Sequence, residues 1–167
     1  MPALPRLPVL PLILSLFATA AAAQQAPIAF GGIKADISAP VEVAADALSV
    51  DQDSGQAVFS GHVEIAQGEM RLSAERVVVD YAGDDRRRIR ALLAEGDVVL
   101  VSGPDAANAR HATYDVETGI VTLRGDVLVS QGRNVLTGDA MTVNLSTGTA
   151  QVDGRVRSIL QPSGQGQ

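Results

Sequence analysis

Residues 119–129, GIVTLRGDVLV, decide how this chain folds, because their arrangement of glycines and apolar residues recurs along the sequence. Apolar and polar residues alternate on both sides of an internal glycine, and period-two alternation is typical of a β-strand. Residues 148–156, GTAQVDGRV, repeat the pattern, and residues 55–65, GQAVFSGHVEI, carry it earlier in the chain. A weaker copy, RALLAEGDVVL, occupies residues 90–100. The sequence therefore contains about four copies of one unit.

Each unit places a glycine inside a strand, at the same position relative to the apolar residues around it. Such a glycine marks a bulge, a bend or a close approach of another backbone. Repeating that bend in every unit folds a continuous antiparallel sheet over on itself into a two-layered or rolled structure. We expect an all-β fold, in which even the one helix-compatible stretch, residues 84–94, is readable as a charged turn that enters a strand.

The composition indicates a single soluble globular domain: 46% of the 167 residues are apolar and 19% are charged. The net charge of −6 provides no electrostatic reason to bind nucleic acid, so we expect no nucleic-acid partner. The chain has no cysteine, and its two histidines, His62 and His111, lie far apart in sequence. We therefore predict no catalytic residues, no metal site and no cofactor, and we expect both histidines on the surface.

The first 23 residues have the features of a secretory signal peptide. One positive charge at Arg6 precedes a mostly apolar stretch at 7–20, and three alanines at 21–23 form a small-residue cleavage site. An uncleaved membrane anchor is the alternative, but prolines interrupt the stretch, which is shorter than the roughly 20 residues of a spanning helix. We expect a periplasmic protein with a domain over 39–161, a flexible segment at 24–38 and a flexible tail at 162–167.

The inward-facing positions of the repeats are aliphatic, because aromatic residues make up only 3% of the chain. An ordinary aliphatic core explains this composition. An apolar groove for acyl chains also explains it, but the residues alone favour the ordinary core.

Six stretches, which carry a glycine-x-valine in several repeats, match one known family in order: APVEVAAD (39–46), VFSGHV (58–63), QGEMRLSAERVVV (67–79), IVTLRGDV (120–127), LTGDAMTV (136–143) and RVRSILQPS (155–163). Together they resemble the OstA-like domain family of periplasmic lipopolysaccharide transport proteins. The resemblance covers nearly the whole chain after the signal-like segment.

The resemblance implies a slightly twisted antiparallel β-jellyroll, open at both ends, that holds the lipid A acyl chains of lipopolysaccharide in its apolar interior. It also implies end-to-end association of copies. The stack would connect an LptC-like inner-membrane protein to an LptD-like outer-membrane protein, so that lipopolysaccharide crosses the periplasm for outer-membrane assembly. A member of this family does no chemistry itself.

Under the resemblance, the candidate lipid-binding residues are the inward-facing apolar positions of the strands. Val41 and Val43 match the N-terminal strand of the family, next to the groove entrance. For any single position, plain packing explains the residue better than lipid contact. The full set is Val41, Val43, Phe59, Val63, Ile65, Leu72, Val77, Val79, Val98, Leu100, Val121, Leu123, Val127, Met141, Val143 and Val156.

Several alternatives stay open. Arg86, Arg87 and Arg88 either contact lipid phosphates or an acidic partner, or form a solvated loop beside two aspartates. A related LptC-like component would keep a membrane anchor. A purely structural β-assembly module would have a filled core and no cargo, and a secreted β-solenoid enzyme would need paired carboxylates and more coils than four short repeats.

Overall fold

The computed structural model describes residues 33–51, 55–83 and 88–160. Within these ranges the secondary structure is entirely β, which confirms the predicted fold class, and no helix there is long and apolar enough to cross a membrane. The strands are β1 (Glu42–Ala44), β2 (Ala47–Val50), β3 (Ala57–Gln67), β4 (Met70–Ala82), β5 (Arg88–Ser102), β6 (Asp105–Asp115), β7 (Ile120–Gln131), β8 (Asn134–Asn144), β9 (Thr149–Asp153) and β10 (Arg157–Ile159).

All of these strands belong to one antiparallel sheet in the order β1-β3-β4-β5-β6-β7-β8-β10. β1 and β2 pair with different parts of β3, so together they act as one interrupted strand at the first edge. β9 and β10 pair with different parts of β8 and form a second interrupted strand at the last edge. The sheet does not close, which agrees with the open jellyroll expected from the sequence.

A β-bulge in the middle of β3, β5 and β7, and another in the link between β9 and β10, bend the sheet. The glycines that the repeat singled out have positive φ, and so does the residue after each: Gly61 (77°) and His62 (44°), Gly96 (81°) and Asp97 (42°), Gly125 (84°) and Asp126 (50°), and Gly154 (72°) and Arg155 (38°). The pairing register shifts at these positions, so that two residues of the bulged strand oppose one residue of its neighbour. The predicted bend is therefore confirmed in each copy.

The bends fold the long strands over, so that their two halves lie in two facing layers. The first layer holds β1, β10 and the strand halves next to the turns at Gly68, Gly103 and Gly132. The second layer holds β2, β9 and the halves next to the turns at Gly119 and Gly148. Inward-facing side chains of both layers form one core whose residues are mostly at most 2% exposed.

Several predictions concern residues that the structure does not describe. The signal peptide at 1–23, the segment at 24–32, the tail at 162–167 and the arginines at 86 and 87 lie outside the described ranges. The domain boundaries therefore stay predictions. Arg88 begins β5 and is exposed, and the helix-compatible stretch that precedes Ala94 is strand over its described part.

Candidate functional site: the apolar interior

Inward-facing side chains of neighbouring strands lie side by side and form three apolar rows that cross the sheet from edge to edge. In the first layer, row 1 is Val43, Ile65, Leu72, Leu100, Ala107, Val129 and Leu136. In the second layer, row 2 is Leu48, Phe59, Val77, Ala94, Ala112, Leu123, Met141 and Val152. Row 3 is Val50, Ala57, Val79, Leu92, Tyr114, Val121, Val143 and Ala150.

The structure places most of the predicted residues inside. Twelve of the sixteen are at most 2% exposed: Val63, Ile65, Leu72, Val77, Val79, Val98, Leu100, Val121, Leu123, Val127, Met141 and Val143. Val41, Val43 and Phe59 are partly buried and pack against the same core. Burial of this set agrees with either an aliphatic core or an acyl-chain site, so lipid contact stays a prediction.

The expectation that Val156 is buried in the interior is wrong, because its side chain is 45% exposed. Val156 lies in the link between β9 and β10, directly after the bulge at Gly154 and Arg155. In the earlier copies the strand continues through the bulge and a further strand covers it. Here the strand is interrupted, and no further strand follows on that side within the described residues.

The predicted set left out several interior residues that complete the rows. Leu92 of β5, Val129 of β7 and Leu136 of β8 are at most 1% exposed. Ala107 and Ala112 of β6 lie in the rows as well, where their small side chains contribute no bulk of their own. The period-two signal was present in all these strands, and following it along the whole length of each strand would have found them.

On the side opposite the bends, the ends of the strands in the two layers lie close together. We call the line along which they meet the seam, and a hydrogen bond crosses it. Tyr114, near the end of β6, donates its hydroxyl to Oε1 of Gln67, at the end of β3. The two strands are not neighbours in the sheet, so this contact crosses the interior. Both side chains are 1% exposed, and burial raises the pKa of Tyr114, which keeps the hydroxyl protonated as a donor.

Residues 33–39, most of which the sequence predicted to be flexible, pack along this seam. Nε2 of Gln67 donates to the carbonyl oxygens of Ile37 and Ala39, at 3.1 and 3.0 Å. The hydroxyl of Ser102 bonds the carbonyl of Lys34 at 2.8 Å, while the Ala35 amide donates to the Leu145 carbonyl at 3.2 Å. Because Ser102 and Leu145 end strand halves of different layers, the segment bridges the layers and covers the opening between them.

On the outside of the bend, charged residues line the bulges. His62 Nδ1 lies 2.6 Å from Asp46 Oδ2, and this hydrogen bond raises the pKa of His62. Arg155 Nη2 lies 2.6 Å from Asp139 Oδ1, and the guanidinium holds the pKa of that carboxyl below its usual value. These side chains are exposed, so the pairs contribute little to folding stability. Both histidines are exposed, as predicted.

Three clefts follow the bulges, with volumes of about 690, 440 and 390 Å³. Charged side chains such as Glu75, Asp97 and Arg155 line them, which makes the clefts unsuitable for acyl chains. In the described part of the chain, no three histidine, aspartate or glutamate side chains converge to hold a metal ion. The aliphatic interior is therefore the candidate site.

The apolar rows continue to the open edge of the sheet, where they are no longer covered. Leu48 and Val50 of β2 begin rows 2 and 3 and are 57% and 61% exposed. They pair with Phe59 and Ala57, which face inward, so their side chains lie on the interior face of the sheet. The interior is thus open to solvent at its first edge.

Over residues 42–149 the chain matches the family described as "LptA/(LptD N-terminal domain) LPS transport protein". It is 30% identical to an uncharacterized protein of Rhizobium meliloti (strain 1021), with 89% of this chain and 85% of that protein covered. It is 24% identical to the lipopolysaccharide export system protein LptA of Haemophilus influenzae, with 78% of this chain and 82% of that protein covered.

The identity to LptA of Escherichia coli K12 is 23%, over 78% of this chain and 76% of that protein. Among solved structures, the chain is similar to LptH of Pseudomonas aeruginosa, a periplasmic component of lipopolysaccharide transport homologous to LptA. The TM-score is 0.67 at 20% identity, with 77% of this chain and 99% of LptH covered. This likeness confirms the jellyroll fold.

Proposed function

Since the chain belongs to the family of LptA and the LptD N-terminal domain, lipopolysaccharide transport proteins, we propose that it carries lipopolysaccharide with the lipid A acyl chains held between its two layers. The observation that supports this most is the set of three apolar rows that cross the whole sheet, two of which end uncovered at Leu48 and Val50. An ordinary core would end in covered residues.

The chemistry of the rows suits a moving lipid. Each methylene group transferred from water to an apolar surface contributes about 0.8 kcal/mol, so several acyl chains cannot cross water unaided. The rows are built of Val, Leu, Ile, Ala and Met, with Phe59 and Tyr114 as the aromatic members. Such side chains shield acyl chains without fixed hydrogen bonds, so a lipid can slide along a row.

Acyl chains reach the rows when the layers separate at the seam. Residues such as Leu100 and Val121 are 0% exposed, so in the closed arrangement the two layers fill each other's space. The layers separate by rotating about the bulges. On the opposite side, the described polar contacts between the layers are chiefly those of Gln67 with Tyr114 and with the segment at 33–39. Separation breaks these contacts and leaves the strand pairing intact.

In this proposal, copies of the chain associate end to end, since within the described residues the strands at both edges of the sheet pair with a neighbour on one side only. The stack connects an LptC-like inner-membrane protein to an LptD-like outer-membrane protein across the periplasm. Residues 1–23 direct export and are then removed. The chain binds and shields its cargo and catalyses no reaction.

Photo-crosslinking with purified lipopolysaccharide tests the lipid claim. A photoreactive residue at Val43 or Val127, both directed inward, is expected to form a lipopolysaccharide adduct, and the same residue at exposed Glu42 is the matched control. Free lipid A is expected to compete for the adduct, whereas the delipidated polysaccharide is not.

Absence of an adduct at both inward positions, in variants that keep the melting temperature of the unchanged chain, would contradict lipid binding. It would favour the second candidate, an assembly module with a filled core, which the near-zero exposure of the central rows supports. Equal adducts at Glu42 and Val43 would indicate surface adhesion, and would also contradict the proposal.

A further inference from the structure

The charged residues at the bulges form a regular series across the sheet, which we call the bulge row. Single residues alternate with two-residue bulges, in the spatial order Asp46, Gly61-His62, Glu75, Gly96-Asp97, Arg110, Gly125-Asp126, Asp139 and Gly154-Arg155. The row begins with a single residue at the first edge and ends with a bulge at the last edge.

Each single residue lies directly over the glycine of the next strand. A Cβ on Gly61 would lie 2.6 Å from Asp46 Oδ2, and one on Gly96 would lie 2.5 Å from Glu75 Oε2. A Cβ on Gly125 would lie 2.9 Å from Arg110 Nε. Asp46, in the link between β1 and β2, therefore occupies the position that Glu75 and Arg110 occupy in the middle of the sheet.

The bulge residues form ion pairs with their neighbours along the row. Arg110 Nη2 lies 2.8 Å from Asp126 Oδ2, and Arg155 binds Asp139 through two nitrogens. At the start of the row, Asp46 is paired with His62 on one side only. At the end of the row, Arg155 has Asp139 on one side and is 85% exposed. One end of the row thus presents a carboxylate and the other a guanidinium.

The backbone directions at the two edges are also complementary. β1 and β2 run from the first layer to the second, and β9 and β10 run from the second layer to the first. Placing β1 and β2 of one copy beside β10 and β9 of another continues the antiparallel alternation. Single residues and bulges alternate along the row, which ends with the bulge at Arg155 and begins with the single residue Asp46. In such an arrangement, the residue that follows Arg155 in the row is Asp46 of the next copy.

We propose that the bulge row continues from one copy of this chain to the next, and that an ion pair between Arg155 of one copy and Asp46 of the following copy sets the register of the stack. The occupant of each edge is a second copy of this chain. In that register, Leu48 and Val50 of one copy lie beside Val152 and Ala150 of the other, so rows 2 and 3 continue without a break. This inference rests on the end-to-end association in the proposed function.

Charge exchange at the two ends of the row tests it. Asp46→Arg alone and Arg155→Asp alone each place like charges at every junction, so we expect each variant to associate about tenfold more weakly than the unchanged chain in sedimentation velocity. An equimolar mixture is expected to recover full association, because every junction between unlike variants again joins opposite charges. The broken pairs with His62 and Asp139 are not repaired by mixing.

Asp97→Arg is the matched control, since it makes the same kind of charge change at a bulge in β5, in the middle of the bulge row. It is expected to leave association unchanged. Association of the unchanged chain is measured first, and its absence would overturn the stacking itself. If the unchanged chain stacks and the single variants stack equally well, or if mixing fails to restore them, the register is wrong while the stacking stands.

A disulfide provides a second readout, because the chain has no cysteine of its own. The double variant Asp46→Cys with Arg155→Cys is expected to give a ladder of covalent oligomers on oxidation. The variant Asp46→Cys with Asp126→Cys is expected to give no ladder. Equal ladders from both would overturn the proposed register.

Discussion

Leu123 and Leu48 are the same kind of residue in the same apolar row, yet their environments are opposite. Leu123 lies in the central strand β7 and is 0% exposed, whereas Leu48 lies in the edge strand β2 and is 57% exposed. Both side chains are on the inward face. The difference shows that in this fold neighbouring strands provide burial, so a side chain of the edge strand β2 stays exposed although it faces inward.

The comparison extends to backbone pairing. β5 is 15 residues long and is paired on both sides, while β2 has 4 residues and pairs only with β3. Short edge strands limit uncontrolled pairing, but exposed apolar residues on them are a liability unless they serve assembly. In the proposed function, the centre of the sheet therefore provides folding stability, and the edges provide association and access.

The largest expected effect is on the free energy of unfolding, when the central and the edge leucine are each truncated to alanine. Leu123→Ala is expected to lower the free energy of unfolding by about 2 to 5 kcal/mol, because it leaves a cavity among fully buried neighbours. Leu48→Ala is expected to lower it by less than about 0.5 kcal/mol. Urea unfolding at a protein concentration that keeps the chain monomeric measures both. Equal losses would show that the edge is as well packed as the centre.

The second effect concerns the bends. At Gly96 the φ is 81°, and the Cβ of an alanine would lie 2.5 Å from Oε2 of Glu75. We therefore expect Gly96→Ala to lower the free energy of unfolding by about 3 kcal/mol. Gly103→Ala, in a turn with a φ of 56° and open space around the new Cβ, is the matched control and is expected to cost about 1 kcal/mol. A smaller loss for Gly96→Ala than for the control would contradict the close packing at the bend.

The third effect concerns the seam. Tyr114→Phe removes the hydroxyl that bonds Oε1 of Gln67, and we expect a loss of about 1 to 2 kcal/mol in the free energy of unfolding. If the seam is where acyl chains enter, the variant is also expected to take up fluorescent lipopolysaccharide faster than the unchanged chain. Slower uptake by a folded variant would place the entrance elsewhere.

The smallest effect is at the first edge and depends on pH. The hydrogen bond and charge of Asp46 raise the pKa of His62, so its proton is held more tightly in the folded chain than in the unfolded one. The pair therefore stabilises the fold fully below the ordinary histidine pKa of about 6.5, and this contribution is lost as the pH rises through the folded pKa. Asp46→Asn is expected to lower the pKa of His62 in an NMR titration, and an unchanged value would contradict the pairing.

The central repeat was predictable from the sequence because local geometry determines it. Alternation around Gly125 placed Val121, Leu123 and Val127 inside, and it located the bend, since only a residue that tolerates positive φ fits there. The all-β class and the antiparallel sheet followed from the same pattern.

The seam and the edges were not predictable in this way, because they depend on contacts between distant residues. Nothing in the local sequence of Gln67 or Tyr114 indicates that they meet across 47 positions. Ile33 is 2% exposed and belongs to the core cluster, although its sequence surroundings have no periodic pattern. Val156 matched the repeat but is exposed, because the last copy lacks the neighbouring strand that buries the others.

Photo-crosslinking at Leu48 and Leu128 tests the central claim most directly. Both are exposed leucines, at 57% and 39%, but Leu48 lies on the inward face in row 2, whereas Leu128 points outward from β7. With a photoreactive residue at each position in living cells, the account predicts a lipopolysaccharide adduct at Leu48 and none at Leu128. Adducts at Leu128 alone, or at neither position in folded and exported protein, would contradict the transport of lipid along the inward-facing rows.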